Sequence, residues 1–224
     1  MKNNAIRRLA LVTLAVGAVN LIVSLIYVLR LPDEVPTHFD AGFQCDGVGS
    51  RWLGMMVPVI IMTVYMLGLF VTAKSKNAEK NIKPLTVCLL FIELMLIGVN
   101  WFVLIIMNSG AKIGDKIEGS FILLMPLMIG LMFVIIGNYM PIVRQNRNLG
   151  IKLPWTLKNE RCWNVTHRFA DRIWVVIGII MLAGTAVLWL TANDSAAAFM
   201  VLEFVPITAA VVIPAIYSYQ HRND

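Results

Sequence analysis

Six apolar runs, near residues 9–29, 53–73, 85–107, 120–143, 173–192 and 198–219, constrain this chain more than any other feature of it. Each is long enough to cross a hydrocarbon core of about 30 Å, which takes about 20 helical residues at about 1.5 Å each. Hydrophobic residues make up 58% of the 224 and only 14% are charged, which excludes an ordinary soluble domain. The expected fold is therefore an all-α integral membrane protein with six transmembrane helices.

The first run follows Lys2, Arg7 and Arg8, as a signal peptide would. Its length exceeds the roughly 7–15 apolar residues of a cleavable signal, and Ala15 and Gly17 lie inside the run, so an uncleaved helix is expected. Placing the N-terminus in the cytoplasm assigns 15 of the 19 Lys/Arg to the inner side, leaving Arg30, Arg51, Lys112 and Lys116 outside. Asp33, Glu34, Asp40, Asp46, Asp115, Glu118 and Asp194 fall outside as well. Both termini are expected in the cytoplasm of a multi-pass protein of the cell membrane. The net charge of +6 is then a topology signal that meets anionic lipid, with no implication of direct nucleic-acid binding.

Cys45, Cys88 and Cys162 fall outside, within the third helix and inside, so no disulfide between them is expected and none has metal-ligand spacing. They read as small hydrophobes or free thiols. No metal and no cofactor is expected, and no internal repeat is visible. The chain divides into a two-helix unit with a structured outer loop (1–84, loop 31–52), a third helix with a short outer loop (85–119), and a region holding a basic loop and the last helices (120–224).

Thr13, Gly17, Asn20 and Ser24 recur at helical spacing on the first helix and predict a face turned into the bundle, where small and hydroxyl residues let backbones approach. Pro126, Gly130 and Gly137, and Gly178 with Thr185, read the same way. Thr86, Glu93 and Asn100 sit seven apart on the third helix. Glu93 is a carboxyl inside an apolar span, where it must be protonated, paired or wet. By depth, Asn100 and Glu203 both come out about 22 Å from the inner boundary and are expected as level partners, with Glu93 nearer Asn20. A polar seam through helices one, three and six is the result. Pro206 and Pro214 free backbone carbonyls near Glu203.

Two polar loops remain. The outer one, residues 31–52, is stiffened by Pro32 and Pro36, with turn signals at Asp40-Ala41-Gly42 and Asp46-Gly47. His38, Asp40 and Asp46 are candidate recognition residues, and their pattern is too weak to argue for a metal. The second loop, residues 144–172, carries seven Lys/Arg against two acids and two tryptophans, more than a helix connection needs. Gly150 permits a turn, Pro154 stiffens the approach, and Thr156 is expected to cap a helix running on through Trp163 and Arg168. A helix from 157 to 192 would span about 54 Å, so it is expected either to bend along the inner interface or to extend into the cytoplasm. Its Trp and Arg side chains suit an interfacial anchor, a docking surface or a gate. His167 alone does not indicate catalysis.

Leu31, Pro32, Val35, Pro36, His38, Phe39, Asp40, Gly42 and Asp46 resemble the signature of DUF1648 proteins. Gly137, Asn138 and Tyr139, Asn146 or Asn148, Gly150-Ile151-Lys152, Pro154-Trp155-Thr156-Leu157, and Trp163 with Thr166-His167-Arg168 resemble the second half of the same protein type, the SdpI family. Lys152-Leu153 and Ala170-Asp171 depart from that pattern, which removes the forked guanidinium usual at position 152. The resemblance implies a membrane protein that protects its cell from a secreted membrane-active peptide toxin of the sporulation-delaying type. His38, Asp40 and Asp46 with Glu93, Asn100 and Glu203 are the residues expected to recognise it. One alternative is a sensor that recruits a soluble repressor through loop 144–172. Another is a small transporter using the intramembrane carboxyls. An enzyme is the weakest reading, since no nucleophile–base set, His-Glu-x-x-His or phosphate-binding glycine loop is present.

Overall fold

The structure is a computed structural model that describes residues 2–73, 82–117, 122–147, 149–193 and 195–223. Of the residues named above, Glu118, Asn148 and Asp194 lie outside the described set, as do the side chains of Lys2 and Thr86; of the cations counted on the inner side, so do Lys74, Lys76 and Lys80 and the side chain of Lys83. The order is α1 (Lys2–Val28), β1 (Glu34–Phe39), β2 (Cys45–Ser50), a 3₁₀ turn (Arg51–Met55), α2 (Met56–Ala73) and α3 (Ile82–Met107). It continues with α4 (Leu124–Tyr139), a 3₁₀ turn (Met140–Ile142), α5 (Pro154–Lys158), α6 (Glu160–Leu190) and α7 (Ala196–Gln220).

Five helices, α1, α3, α4, α6 and α7, are long and apolar enough to cross a membrane. The second apolar run forms α2, which has 18 residues and spans about 27 Å. Side chains left on the outside of these helices are themselves apolar, among them Val19, Leu94, Val187 and Phe204, as a surface that meets lipid tails requires. The chain is a multi-pass membrane protein.

The chain is mostly helical, as expected, and the outer loop adds two short strands. The loop at 31–52 closes into an antiparallel hairpin of β1 and β2. Pro36 is tolerated because a two-stranded sheet leaves each strand an unpaired edge. Asp40 makes the turn: its Oδ1 accepts from the N–H groups of Gly42 at 2.8 Å and Gln44 at 2.9 Å, while Phe43 sits at φ 63°. Asp46-Gly47 is not a turn but part of β2, with Gly47 opposite His38 where the register shifts. The hairpin seats on a small core of Val28, Leu31, Val35, Leu104 and Met107, which joins the ends of α1 and α3.

On the other side of the bundle, α4 and α6 meet through glycines. A Cβ at Gly178 would stand 2.6 Å from the Gly130 carbonyl oxygen, so only hydrogen at that position permits the crossing. The glycine expectations for these helices therefore describe a contact. Helix α7 lies against α6, and the Trp174 indole N–H donates to the Ala210 carbonyl at 2.9 Å. Pro214, four residues on, has no N–H to give that carbonyl, so a side chain of the neighbouring helix supplies the bond.

Candidate functional site

Three groupings of polar side chains stand out: the hairpin at one end, a buried seam between α1, α2 and α3, and a folded loop at the opposite end.

On the hairpin, His38 Nδ1 and Asp46 Oδ1 are 2.5 Å apart across the strand pair, and both side chains are largely exposed. Asp40, the third candidate, is occupied with the turn. A second segment completes this end. Cys45 exchanges backbone bonds with Asp115 at 2.8 Å and Gly114 at 2.7 Å, and Ile117 N–H reaches Phe43 O at 3.1 Å. The hairpin tip also touches α7, where Phe43 meets Phe199 edge-on with ring centres 5.2 Å apart. Arg51 fastens the base by donating to Leu31 O at 2.8 Å and pairing with Asp33 at 3.2 Å.

The face of α1 expected to point inward does so: Thr13, Asn20 and Ser24 are buried. Asn100 Nδ2 donates to Ser24 Oγ at 2.9 Å and lies 3.5 Å from Asn20 Oδ1, which also accepts from the Trp101 indole at 3.1 Å. Glu93 faces Gly17 of α1, whose missing side chain makes its room. The expected pairing of Asn100 with Glu203 is not formed. Glu203 is buried on α7, and α7 packs on α4, α5 and α6, whereas Asn100 spends its amide on α1. Equal depth fixed the height of the two groups and not the direction in which each points. Trp101 was missed in the sequence because an indole in an apolar run gives no sign that its N–H is needed.

At the opposite end, the described residues of 143–147 and 149–158 fold back onto the start of α6. Trp163 is fully buried, its indole donating to Val143 O at 2.8 Å. His167 stacks on it with ring centres 4.0 Å apart. His167 Nε2 accepts from Ile151 N–H at 3.1 Å, so Nδ1 holds the ring proton and donates to Trp163 O at 2.8 Å. The imidazole is thus neutral and committed to structure. Gly150, at φ 115°, lies flat on both rings; a Cβ there would collide with His167 Nε2 and stand 2.9 Å from Trp163.

Thr156 is not the expected helix cap. Its hydroxyl accepts from Leu153 N–H at 2.9 Å and reaches Ile151 O at 2.8 Å, which closes the turn beginning α5. Asn159 caps α6 instead, its Oδ1 accepting from Arg161 and Cys162 N–H groups. From there α6 runs 31 residues without interruption, about 46 Å, longer than a hydrocarbon core of about 30 Å requires. The end of α7 locks the assembly. Trp155 Nε1 donates to Ser218 Oγ at 2.9 Å, and Cys162 Sγ lies 3.5 Å from Ser218 O. Thr166 is buried, while Leu157 and Arg168 remain exposed and Asn138 folds back to Val134 O at 2.7 Å. Neither Gln145, which donates to Thr156 O at 2.7 Å, nor Ser218 carried a sequence signal.

Residues 142–218, which include this folded loop and α7, match the model of the SdpI/YfhL protein family, and residues 15–63, which include the hairpin, match DUF1648, a domain of unknown function. The two matches follow one another along the chain, DUF1648 first and SdpI/YfhL second. It is 26% identical over 213 residues, 94% of each chain, to "Immunity protein SdpI" of Bacillus subtilis (strain 168). No solved structure is significantly similar to it. The SdpI match begins at Ile142, one residue before the carbonyl that Trp163 holds, and ends at Ser218, the residue that holds Trp155. Its two limits are the two ends of one folded unit. The three cysteines are buried and unbridged.

Proposed function

We propose that this chain is a membrane immunity protein that protects its cell against a secreted, membrane-active peptide toxin. The observation that carries the reading is collinearity: similarity to Immunity protein SdpI runs through 94% of both chains, across the hairpin, the seam and the folded loop alike. In this reading six spans place both termini in the cytoplasm and the hairpin outside, so the hairpin meets the peptide first.

His38 and Asp46 are paired across the strands and exposed, among other exposed polar side chains of the hairpin such as Glu34 and Gln44, and Val48 and Trp52 beside them leave apolar surface open for an amphipathic partner. Glu93, Asn100 and Glu203 would act after entry into the bundle, not at first contact. Burial of Trp163, Thr166 and His167 favours a fixed platform at the inner end over a set of docking side chains, which makes recruitment of a repressor through those residues the weaker reading.

The test is growth of a toxin-sensitive strain expressing the chain, with its membrane level verified by immunoblot. Survival in the presence of the peptide is expected. Death at the rate of the empty-vector control removes the reading for that toxin. A His38→Ala, Asp46→Ala double variant at equal membrane level is expected to lower the protective threshold, and unchanged protection would move recognition away from the hairpin.

A further inference from the structure

The buried seam contains a carboxyl that none of the contacts above uses. Glu93 lies 11 residues into α3, about 17 Å from its start, and is 1% exposed. Its Oε2 has no hydrogen-bond partner among the described residues, and neither has Oδ1 of Asn100, fully buried two turns further along the same helix. Two orphaned oxygens on one buried stripe are what a fixed, purely structural network avoids, because each forfeits the solvation it had in water.

The neighbours decide what such a site can hold. From α1 the carboxyl meets Gly17, with Met62 of α2 alongside. From α2 the titratable group facing it is Tyr65, whose hydroxyl donates to Leu89 O. Cys88 is the nearest other titratable group on α3 itself, and α4, packed on α3 where Met128 covers Gly98, carries no titratable side chain before Tyr139 at its end. No Lys, Arg or His among these neighbours supplies a counter-charge. A metal cation is disfavoured as well, since hard cations take six or more oxygens and no group of three or more His, Cys, Asp or Glu side chains that could hold one occurs among the described residues.

We propose that Glu93 is a reversible proton-binding site within the membrane, and that the Asn20–Ser24–Asn100–Trp101 cluster above it is the polar route by which the proton exchanges. The two orphaned oxygens are the positions where water joins the route, each offering an acceptor that a buried water can use. Proton binding at Glu93 does not presuppose the protective role, and its test requires no toxin.

The experiment is pH-difference infrared spectroscopy of the full chain in liposomes, in H₂O and D₂O. A protonated-carboxyl carbonyl band is expected that diminishes as pH rises and shifts in D₂O. It should lose intensity in Glu93→Gln, leaving only what the other buried carboxyl, Glu203, contributes, and be displaced in Glu93→Asp, which keeps an acid and guards against a variant that fails to fold. On the unaltered chain, dicyclohexylcarbodiimide, which reacts with protonated carboxyls in apolar surroundings, should give an adduct that peptide mapping places on Glu93 and that declines with rising pH. A Glu93→Gln spectrum superimposable on the wild type, or a band that does not exchange in D₂O, overturns the proposal. Asn100→Leu should slow the deuterium exchange of the band severalfold, and an unchanged rate would exclude the proposed route.

Discussion

Gly150, Trp163 and His167 show how little freedom single residues have in the loop that looked most exposed in sequence. A Gly150→Ala variant must place a Cβ at φ 115° and against two rings at once. A loss of more than about 1 kcal/mol is expected, read as a lower unfolding temperature in detergent. His167→Phe tests the bond and not the stack: the ring stays, but Ile151 N–H is left without its acceptor, at a cost of about 1–3 kcal/mol. An unfolding temperature equal to that of the wild type would show that the stack alone suffices. The motif around these residues was legible in the sequence, since Pro, Trp and Gly at fixed offsets are rare in apolar chains. Their burial was not. A tryptophan beside arginines suits an interfacial anchor equally well, and only the fold-back of the described residues of 143–147 and 149–158 turns Trp163 inward.

Among the elements, helices were the readable part and their joints were not. Each of the six apolar runs contains one helix, and five of these, α1, α3, α4, α6 and α7, are long and apolar enough to cross a membrane. The hairpin escaped because short strands between turn residues give a weak pattern next to apolar runs that dominate the chain. The capping residue was misassigned because Thr156 and Asn159 both suit the role, and the backbone to which each hydroxyl or amide turns is set by tertiary contact. Glu203 was misplaced for a related reason: rise per residue gives depth, whereas azimuth comes from packing. The joint between α6 and α7 makes a further prediction. Trp174→Phe leaves the Ala210 carbonyl without its donor and should cost about 0.6 kcal/mol, up to nearly 2. Adding Pro214→Ala restores a backbone N–H to that carbonyl, so the two changes together should cost less than their sum in a double-mutant cycle. Strict additivity would mean that the two donors do not share the carbonyl.

Across the whole molecule, the end of α7 closes a unit whose first members lie about 75 residues earlier in the chain, at Val143 and Gln145. Ser218→Ala removes the acceptor of the Trp155 indole and should lower stability by about 1 kcal/mol, with limited proteolysis showing faster cleavage between residues 144 and 159. Equal cleavage rates would show that the clasp is incidental. This closure bears on how the chain is made. The ribosome delivers Trp155 and Cys162 well before it delivers Ser218, so the loop waits half-finished until the last helix has been threaded into the bilayer. A chain stalled or mis-inserted before that point leaves the Trp155 indole and the Cys162 thiol without the Ser218 contacts that hold them.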